Sequence, residues 1–186
     1  MEILSIIQQF SLLPKDDAQL LASAFEEVNI AKDDTFIEAG KRAPYIYFLK
    51  SGICRIFYFK EAQEVILDFA FPGDALVSLN SYIHNKKGYE NIQAITEVVV
   101  YRIASQTLQD YYLRSIAIAN WGRKLAEWET LKIEDRLMSK LFKSATESYQ
   151  ELQQKATDIT NHIKLGYIAS YLGVTQVTLS RKKKKK

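Results

Sequence analysis

The residues between Val28 and Ile103 form short β-prone runs separated by turn residues, and this pattern restricts the fold more than any other part of the sequence. The turn signals are Gly40, Ser51-Gly52 and Pro72-Gly73-Asp74, since glycine and proline mark turns. Short strands with a turn signal about every ten residues indicate a small antiparallel barrel or roll. The runs, rich in aromatic and β-branched side chains, span 35–37, 45–49, 53–59, 64–71 and 92–103.

Helical periodicity flanks this strand-rich region on both sides. The segments 1–10 and about 15–25 carry apolar residues at helical spacing, with Pro14 between them. From Leu108 to Phe142 there is no proline and the only glycine is Gly122, which predicts one long helix. The expected fold class is therefore α+β, with an antiparallel β-roll and flanking helices ahead of the long helix.

The predicted long helix carries an apolar seam whose members are alternately three and four residues apart, as at the a and d positions of a coiled coil. A helix with such a seam can pack against its own β domain or against a partner helix. The two tryptophans give this seam much apolar surface, which favours a partner helix and hence a symmetric homodimer. The seam consists of Ile118, Trp121, Leu125, Trp128 and Leu131.

The C-terminal segment predicts a helix-turn-helix. A capping box, Ser144 to Glu147, starts a new helix that reaches about Lys155, and a polar connection follows over 157–162. Leu165 to Leu172 has the apolar spacing of one helix face, and Gly173 offers the positive φ at which a helix stops. Thr175 is an N-cap for a second helix reaching about residue 185. The expected domains are a sensor roll over 1–107, a dimerisation helix over 108–143 and a DNA-binding domain over 144–186.

Charge and residue types narrow the possible functions. The chain has 25 basic and 22 acidic residues, and six of the basic ones occupy 181–186, so the remainder is mildly acidic. A basic end beside a polar helix is typical of a nucleic-acid reader, although a solvated tail is the alternative. One cysteine, Cys54, and two separate histidines, His84 and His162, predict no metal centre, no cofactor and no enzyme activity. No run is long enough to span a membrane and no signal peptide is evident, so the expected location is the cytoplasm.

The order of elements resembles that of the CRP/FNR family of transcription regulators. The pattern E-x-G…Y-x-x-x-S-G…G-D, from Glu38 to Asp74, is similar to that family's cyclic-nucleotide-binding-type roll. The segment IASYLGVTQVTLSR, from Ile168 to Arg181, is similar to its helix-turn-helix. The resemblance implies a dimer that binds double-stranded DNA and an effector pocket within the roll.

The sequence departs from that family where cyclic AMP would bind. Ser78 stands where a ribose-binding glutamate is expected, and the segment 87–91 has no arginine for the phosphate. We therefore expect no tight binding of cyclic AMP, and the pocket is expected to hold another small molecule or none. The sequence up to Lys186 does not contain the β-hairpin wing of that family, so the expected DNA-binding domain lacks a full wing. The expected pocket residues are Gly73, Asp74, Ala75, Leu76, Val77, Ser78, Leu79, Tyr89, Glu90, Asn91 and Gln93.

The leading functional prediction is a dimeric DNA-binding regulator whose second C-terminal helix enters the major groove. Gln176, Arg181 and Val177 are expected to read bases, because Gln and Arg can each make paired contacts to base edges. Thr175, Thr178 and Lys182 are expected to contact phosphates. The alternative is a small-molecule-sensing or protein-interaction module with a degenerate DNA-binding domain.

Overall fold

The computed structural model describes residues 1–155 and 162–183, without the side chains of residues 155, 182 and 183. Two short helices come first, α1 (Ile3–Phe10) and α2 (Lys15–Ser23). The strands are β1 (Glu26–Ile30), β2 (Thr35–Ile37), β3 (Tyr45–Ser51), β4 (Cys54–Lys60), β5 (Gln63–Ala70), β6 (Ala75–Leu76), β7 (Asn91–Ala94) and β8 (Val98–Ala104). The later helices are α3 (Leu79–His84), α4 (Ser105–Arg114), α5 (Ile116–Phe142), α6 (Ala145–Lys155), α7 (Leu165–Tyr171) and α8 (Gln176–Lys183).

The strands form two antiparallel four-stranded sheets that pack face to face as a roll. One sheet has the order β1-β8-β3-β6, and the other has the order β2-β7-β4-β5. The predicted strand at 92–103 is two strands, β7 and β8, which belong to different sheets. The predicted α+β fold with an antiparallel roll is confirmed, and α3 lies where the sequence indicated only irregular structure.

Strand β3 is buried on both of its faces, which explains its unbroken apolar run. Tyr47 and Leu49 point into the space between the sheets, where they pack with Cys54 and Ile92. Ile46 and Phe48 point the opposite way, and Phe48 contacts the helical layer formed by α1, α2, α4 and α5. In a central strand whose two faces are both covered, side chains on both faces are apolar, so the sequence does not alternate between apolar and polar residues.

The predicted helix over 108–142 is broken at Ser115 into α4 and α5. Ser115 has extended dihedrals (φ −133°, ψ 116°), and its hydroxyl oxygen accepts a hydrogen bond from Ile118 N at 3.2 Å. The same hydroxyl lies 2.6 Å from an Asp17 carboxylate oxygen of α2, to which it donates. Serine favours N-cap positions, and this cap was missed because neither proline nor glycine marks the break.

Glycine is required where α4 and α5 meet. A Cβ atom added at Gly122 would lie 2.4 Å from the Tyr112 hydroxyl oxygen and ring. The Tyr112 side chain therefore occupies the space that any other residue at 122 would fill. Burial and the neighbouring Tyr82 hydroxyl raise the pKa of Tyr112, so its phenol stays neutral in this contact.

The seam predicted along the long helix divides into two parts. Ile118, Trp121 and Leu125 are buried in the chain's own core, and Trp121 Nε1 donates to the Ile7 carbonyl oxygen at 2.8 Å. These three residues pack on α1 and on the roll within the same chain, which is the alternative that the sequence left open for this seam. Trp128 and Leu131 are 49% and 50% exposed, so this part of the predicted seam is accessible to another surface.

Candidate functional site: a C-terminal helical pair and a cavity beside α5

Two helices, α7 and α8, follow one another through a short turn at the end of the chain, and we call them the C-terminal helical pair. The turn depends on Gly173, which has φ +67°. Val174 N donates to the Ala169 carbonyl oxygen at 3.0 Å, and Gly173 N donates to Ser170 at 3.1 Å. These bonds satisfy the last carbonyl groups of α7 and reverse the chain before α8.

Thr175 caps α8, as the sequence predicted. Its Oγ1 accepts from Thr178 N at 3.2 Å, and the two threonine hydroxyl oxygens lie 2.9 Å apart. These hydroxyl groups, expected to contact phosphates, are therefore already bonded to each other and to the backbone. α8 begins at Gln176 and is described to Lys183, whereas the expected end at residue 185 lies outside the described residues.

The helical pair divides into a buried side and an exposed side. Ile168 and Ala169 of α7 and Leu179 of α8 are buried, whereas the residues predicted to contact DNA lie on the surface. Val177 is 60% exposed despite its apolar side chain. The side chain of Lys182 lies outside the described residues. The exposed set comprises Thr175, Gln176, Val177, Thr178 and Arg181.

The buried side of α7 packs against the outer face of strand β5. Ile66 N donates to Ser170 Oγ at 3.0 Å, which joins the helix to the strand backbone. The rings of Phe69 and Tyr171 have centroids 5.3 Å apart. Ile66 and Phe69 form one buried cluster with Ile168 of α7, so the roll and the helical pair share a hydrophobic core.

Arg55 fixes the same interface from strand β4. Its guanidinium lies between two aromatic rings, 4.1 Å from the Phe57 centroid and 4.0 Å from the Tyr167 centroid. Nη1 pairs with Glu64, and Nε donates to Gln93 Oε1 at 2.7 Å. Arg55 is only 5% exposed. A cation buried to this extent is stable only with ion-pair and hydrogen-bond partners, which Glu64 and Gln93 supply here.

A cavity of about 500 Å³ lies between the roll and α5, and we call it the α5 cavity. Six of the predicted pocket residues line it, together with Asp68, Glu129, Lys132 and Arg136. Three of these additional residues belong to α5, so the long helix forms one wall of the cavity. The six predicted residues are Asp74, Ala75, Val77, Leu79, Tyr89 and Glu90.

The other five predicted pocket residues do not line the α5 cavity. Leu76 is buried between the sheets, and the Gly73 carbonyl oxygen accepts from Gln9 of α1 at 2.7 Å. Asn91 Oδ1 accepts from Ala39 N at 3.0 Å, and Gln93 points to the opposite face of its sheet, where it binds Arg55. Ser78 is buried behind the wall, 1% exposed. Neighbours in a strand point to opposite faces, so a continuous run of residues cannot all reach one cavity.

Both cations in the cavity wall are paired with carboxylates. Lys132 Nζ lies 2.9 Å from Asp74 Oδ1 and 3.1 Å from Glu129 Oε1, and Arg136 Nη1 lies 2.8 Å from Asp68 Oδ2. Burial alone would lower the pKa of Lys132, but the two carboxylates outweigh burial and raise it. Burial raises the pKa of Glu129, against the opposing effect of Lys132.

Arg55 and Arg136 are the important residues that the sequence did not reveal. Arg136 pairs with Asp68 of β5, and its guanidinium lies 4.7 Å from the ring centroid of Tyr171 in α7. The sequence did carry a signal for Arg55, which is a lone arginine within the apolar run ICRIFYF. An arginine in a buried strand must have a charged or polar partner, because charged residues are rarely buried without one. Arg136 offered no such signal, since charged residues are common on helix surfaces.

Comparison with known proteins agrees with this geometry. Residues 27–115, from β1 to the end of α4, match the family model described as the cyclic nucleotide-binding domain, and this region has that fold. No curated protein matches the sequence. In residues 1–155 and 162–183, no helix is both long and apolar enough to span a bilayer.

Solved structures share the fold over most of the chain. FixK2 from Bradyrhizobium japonicum has a TM-score of 0.72 at 20% identity, covering 87% of this chain and 83% of its own. A candidate transcriptional regulator of the crp/fnr family from Eubacterium rectale has a TM-score of 0.71 at 16% identity. The match covers 91% of this chain and 81% of that regulator. The regulatory domain of Toxoplasma gondii PKA with cAMP has a TM-score of 0.54 at 19% identity. The match covers 59% of this chain and 43% of that domain's chain.

Proposed function

We propose that the chain is a DNA-binding transcription regulator of the CRP/FNR type that acts as a homodimer. The observation that carries the proposal is the two-sided character of the C-terminal helical pair. Its apolar side is fixed to the roll, while Gln176, Val177 and Arg181 remain on the surface of α8. A helix with an exposed polar face that leads into basic residues suits entry into the major groove.

In this proposal Gln176 and Arg181 read base edges, and Val177 supplies an apolar contact such as one with a thymine methyl group. Lys182 contacts phosphates. Thr175 and Thr178 contribute mainly by capping the helix, because their hydroxyl groups are already bonded to each other. The similarity in fold to FixK2 and to the regulator from Eubacterium rectale supports the assignment to this class.

The proposed dimer forms through the C-terminal half of α5. Large apolar side chains are exposed along this half, and a soluble monomer rarely leaves so extended an apolar stretch uncovered. A second copy of α5 is the proposed cover, with Trp128 and Leu131 at the start of the contact. The exposed set is Trp128, Leu131, Ile133, Leu137, Met138, Leu141 and Phe142.

The test is selection from a random duplex pool at moderate salt, followed by affinity measurements on the enriched site. We expect a two-fold symmetric site, and we expect Arg181→Ala to weaken binding to it by on the order of 10- to 100-fold. Arg114→Ala is the matched control, because it removes an exposed arginine from α4. Equal losses for the two variants on every sequence would refute base reading by α8.

The alternative is a sensing or interaction module without sequence-specific DNA binding. The exposed Val177 favours it, since an apolar side chain in the middle of α8 also suits a protein contact. Saturable ligand binding without any enriched DNA site would favour this alternative. Salt-sensitive, sequence-selective DNA binding would exclude it.

A further inference from the structure

Unpartnered polar atoms gather around the α5 cavity. Within residues 1–155 and 162–183, four buried side-chain polar atoms have no hydrogen-bond partner: Ser78 Oγ, Glu90 Oε1, Ser105 Oγ and Arg136 Nη2. Glu90 and Arg136 line the α5 cavity, and Ser78 lies directly behind it. Buried polar groups are nearly always satisfied, so atoms left open at one cavity indicate a missing partner there.

Ser78 and Glu90 both pack closely against Gly88, which leaves no room for a side chain there. A Cβ atom added at Gly88 would lie 2.4 Å from Ser78 Oγ and 2.8 Å from Glu90 Oε1. The two residues are 1% and 7% exposed, so little bulk water reaches them. The second Glu90 oxygen accepts from Tyr89 N at 3.1 Å, which fixes the carboxylate and leaves Oε1 as the open acceptor.

The charge in the cavity wall opposes an anionic ligand. Four carboxylates, those of Asp68, Asp74, Glu90 and Glu129, face two cations, Lys132 and Arg136. Both cations are already paired with three of these carboxylates, and Glu90 is the one left over. A phosphate here would meet an uncompensated carboxylate, whereas a cation would neutralise it.

We propose that the α5 cavity binds a small molecule that carries a protonated amine, with the amine donating to Glu90 Oε1. The inference assigns a ligand class to the roll that the sequence predicted to be a sensor domain, and it does not depend on DNA binding. The open Arg136 Nη2 then donates to an acceptor elsewhere on the same molecule. A carboxylate would suit this position, so an amino acid and a simple amine are the two sources of the required chemistry.

The test measures binding by calorimetry and by the shift in melting temperature, without DNA. The probes are the twenty common L-amino acids tested singly, the decarboxylated amine and the deaminated acid of each, and 3′,5′-cyclic AMP. We expect at least one amine-bearing probe to bind and its deaminated counterpart not to bind. An amino acid that binds more tightly than its own decarboxylated amine assigns the carboxylate to Arg136, whereas equal binding leaves the amine as the recognised group.

Two variants connect the binding to the cavity. Glu90→Gln keeps the size of the side chain but removes the charge, and we expect it to weaken amine binding by on the order of 10- to 100-fold. Glu134→Gln makes the same change on the exposed surface of α5, outside the cavity wall, and is expected to bind as the unaltered protein does. Circular dichroism of both variants establishes that they are folded.

Three outcomes would overturn the proposal: binding of cyclic AMP but of no amine, unchanged amine binding in Glu90→Gln, or no binding of any probe. Because the measurements contain no DNA, these failures leave the proposed DNA binding intact. Conversely, a protein that binds an amine but enriches no duplex site would retain this inference and lose the proposed function.

Discussion

The contact between Arg55 and the C-terminal helical pair predicts a large loss of stability when this side chain is removed. In Arg55→Ala, Glu64 loses its ion-pair partner, and the Phe57 and Tyr167 rings lose the guanidinium between them. Breaking a buried ion pair costs about 3–5 kcal/mol. Glu64 keeps 28% of its side chain exposed, and water there relieves part of the cost, so we expect the lower end, about 3 kcal/mol.

The assay is urea unfolding followed by circular dichroism, combined with hydrogen exchange of the α7 amides. Because Arg55 lies at the interface, α7 is expected to lose exchange protection before the strands inside the roll do. Arg123→Ala is the matched control, since it breaks an exposed pair with Glu127, and such pairs contribute little to stability. We expect the control to leave the midpoint of unfolding nearly unchanged.

A second pair of variants separates the lost charge from the lost packing. Arg55→Met keeps apolar contact with the two rings but leaves Glu64 without its ion-pair partner. We therefore expect this variant to be less stable than the unaltered protein. Arg55→Met combined with Glu64→Gln removes both charges, and replacing a buried pair by apolar or neutral groups is often nearly neutral. Unfolding of Arg55→Ala and Arg123→Ala at the same urea concentration, or unchanged exchange protection of α7 in Arg55→Ala, would contradict a stabilising role for Arg55.

Three further predictions concern individual contacts. Gly122→Ala should destabilise the protein by about 1–3 kcal/mol in urea unfolding, because its methyl group overlaps the Tyr112 ring; wild-type stability would show that α4 can move away. Thr175→Ala should cost about 1 kcal/mol by loss of the α8 cap, whereas Thr175→Ser, which keeps the hydroxyl group, should cost less in the same assay. Burial raises the pKa of Cys54 to about 12, so at pH 8 the thiolate is scarce and mass spectrometry should find little reaction with iodoacetamide until urea is added; fast native labelling would contradict this.

Local sequence signals located the features that depend on neighbours in the chain. The capping box at Ser144 is present, with Ser144 N donating to Glu147 Oε2 at 2.8 Å and Glu147 N donating to Ser144 Oγ at 3.3 Å. This reciprocal bonding starts α6 at Ala145, and the hydrogen bond from Ser144 lowers the pKa of Glu147. The β-prone runs and the positive φ at Gly173 followed in the same way, because each depends on a few adjacent residues.

Features that depend on contacts between distant parts of the chain could not be predicted from periodicity. The apolar seam of α5 was recognisable from its spacing. The spacing does not show, however, whether a given seam residue packs against the chain's own core or lies exposed. Ile118, Trp121 and Leu125 meet α1 and the roll, whereas Trp128 lies beyond the edge of that core. The cavity residues were only partly predicted for the same reason, since the α5 wall begins at Glu129, which lies 39 positions after Glu90 in the sequence.

Arg136 gives the α5 cavity and the C-terminal helical pair a shared residue. Its guanidinium lines the cavity, pairs with Asp68 of β5 and lies over the ring of Tyr171 in α7. A ligand can change the position of a distant element only if it interacts differently with that element's alternative arrangements. An acceptor group bound at Arg136 Nη2 meets this condition, because it competes for the orientation of the guanidinium that now contacts Tyr171. Under the proposed function and the proposed ligand, Arg136 would therefore couple the α5 cavity to the C-terminal helical pair through the orientation of its guanidinium.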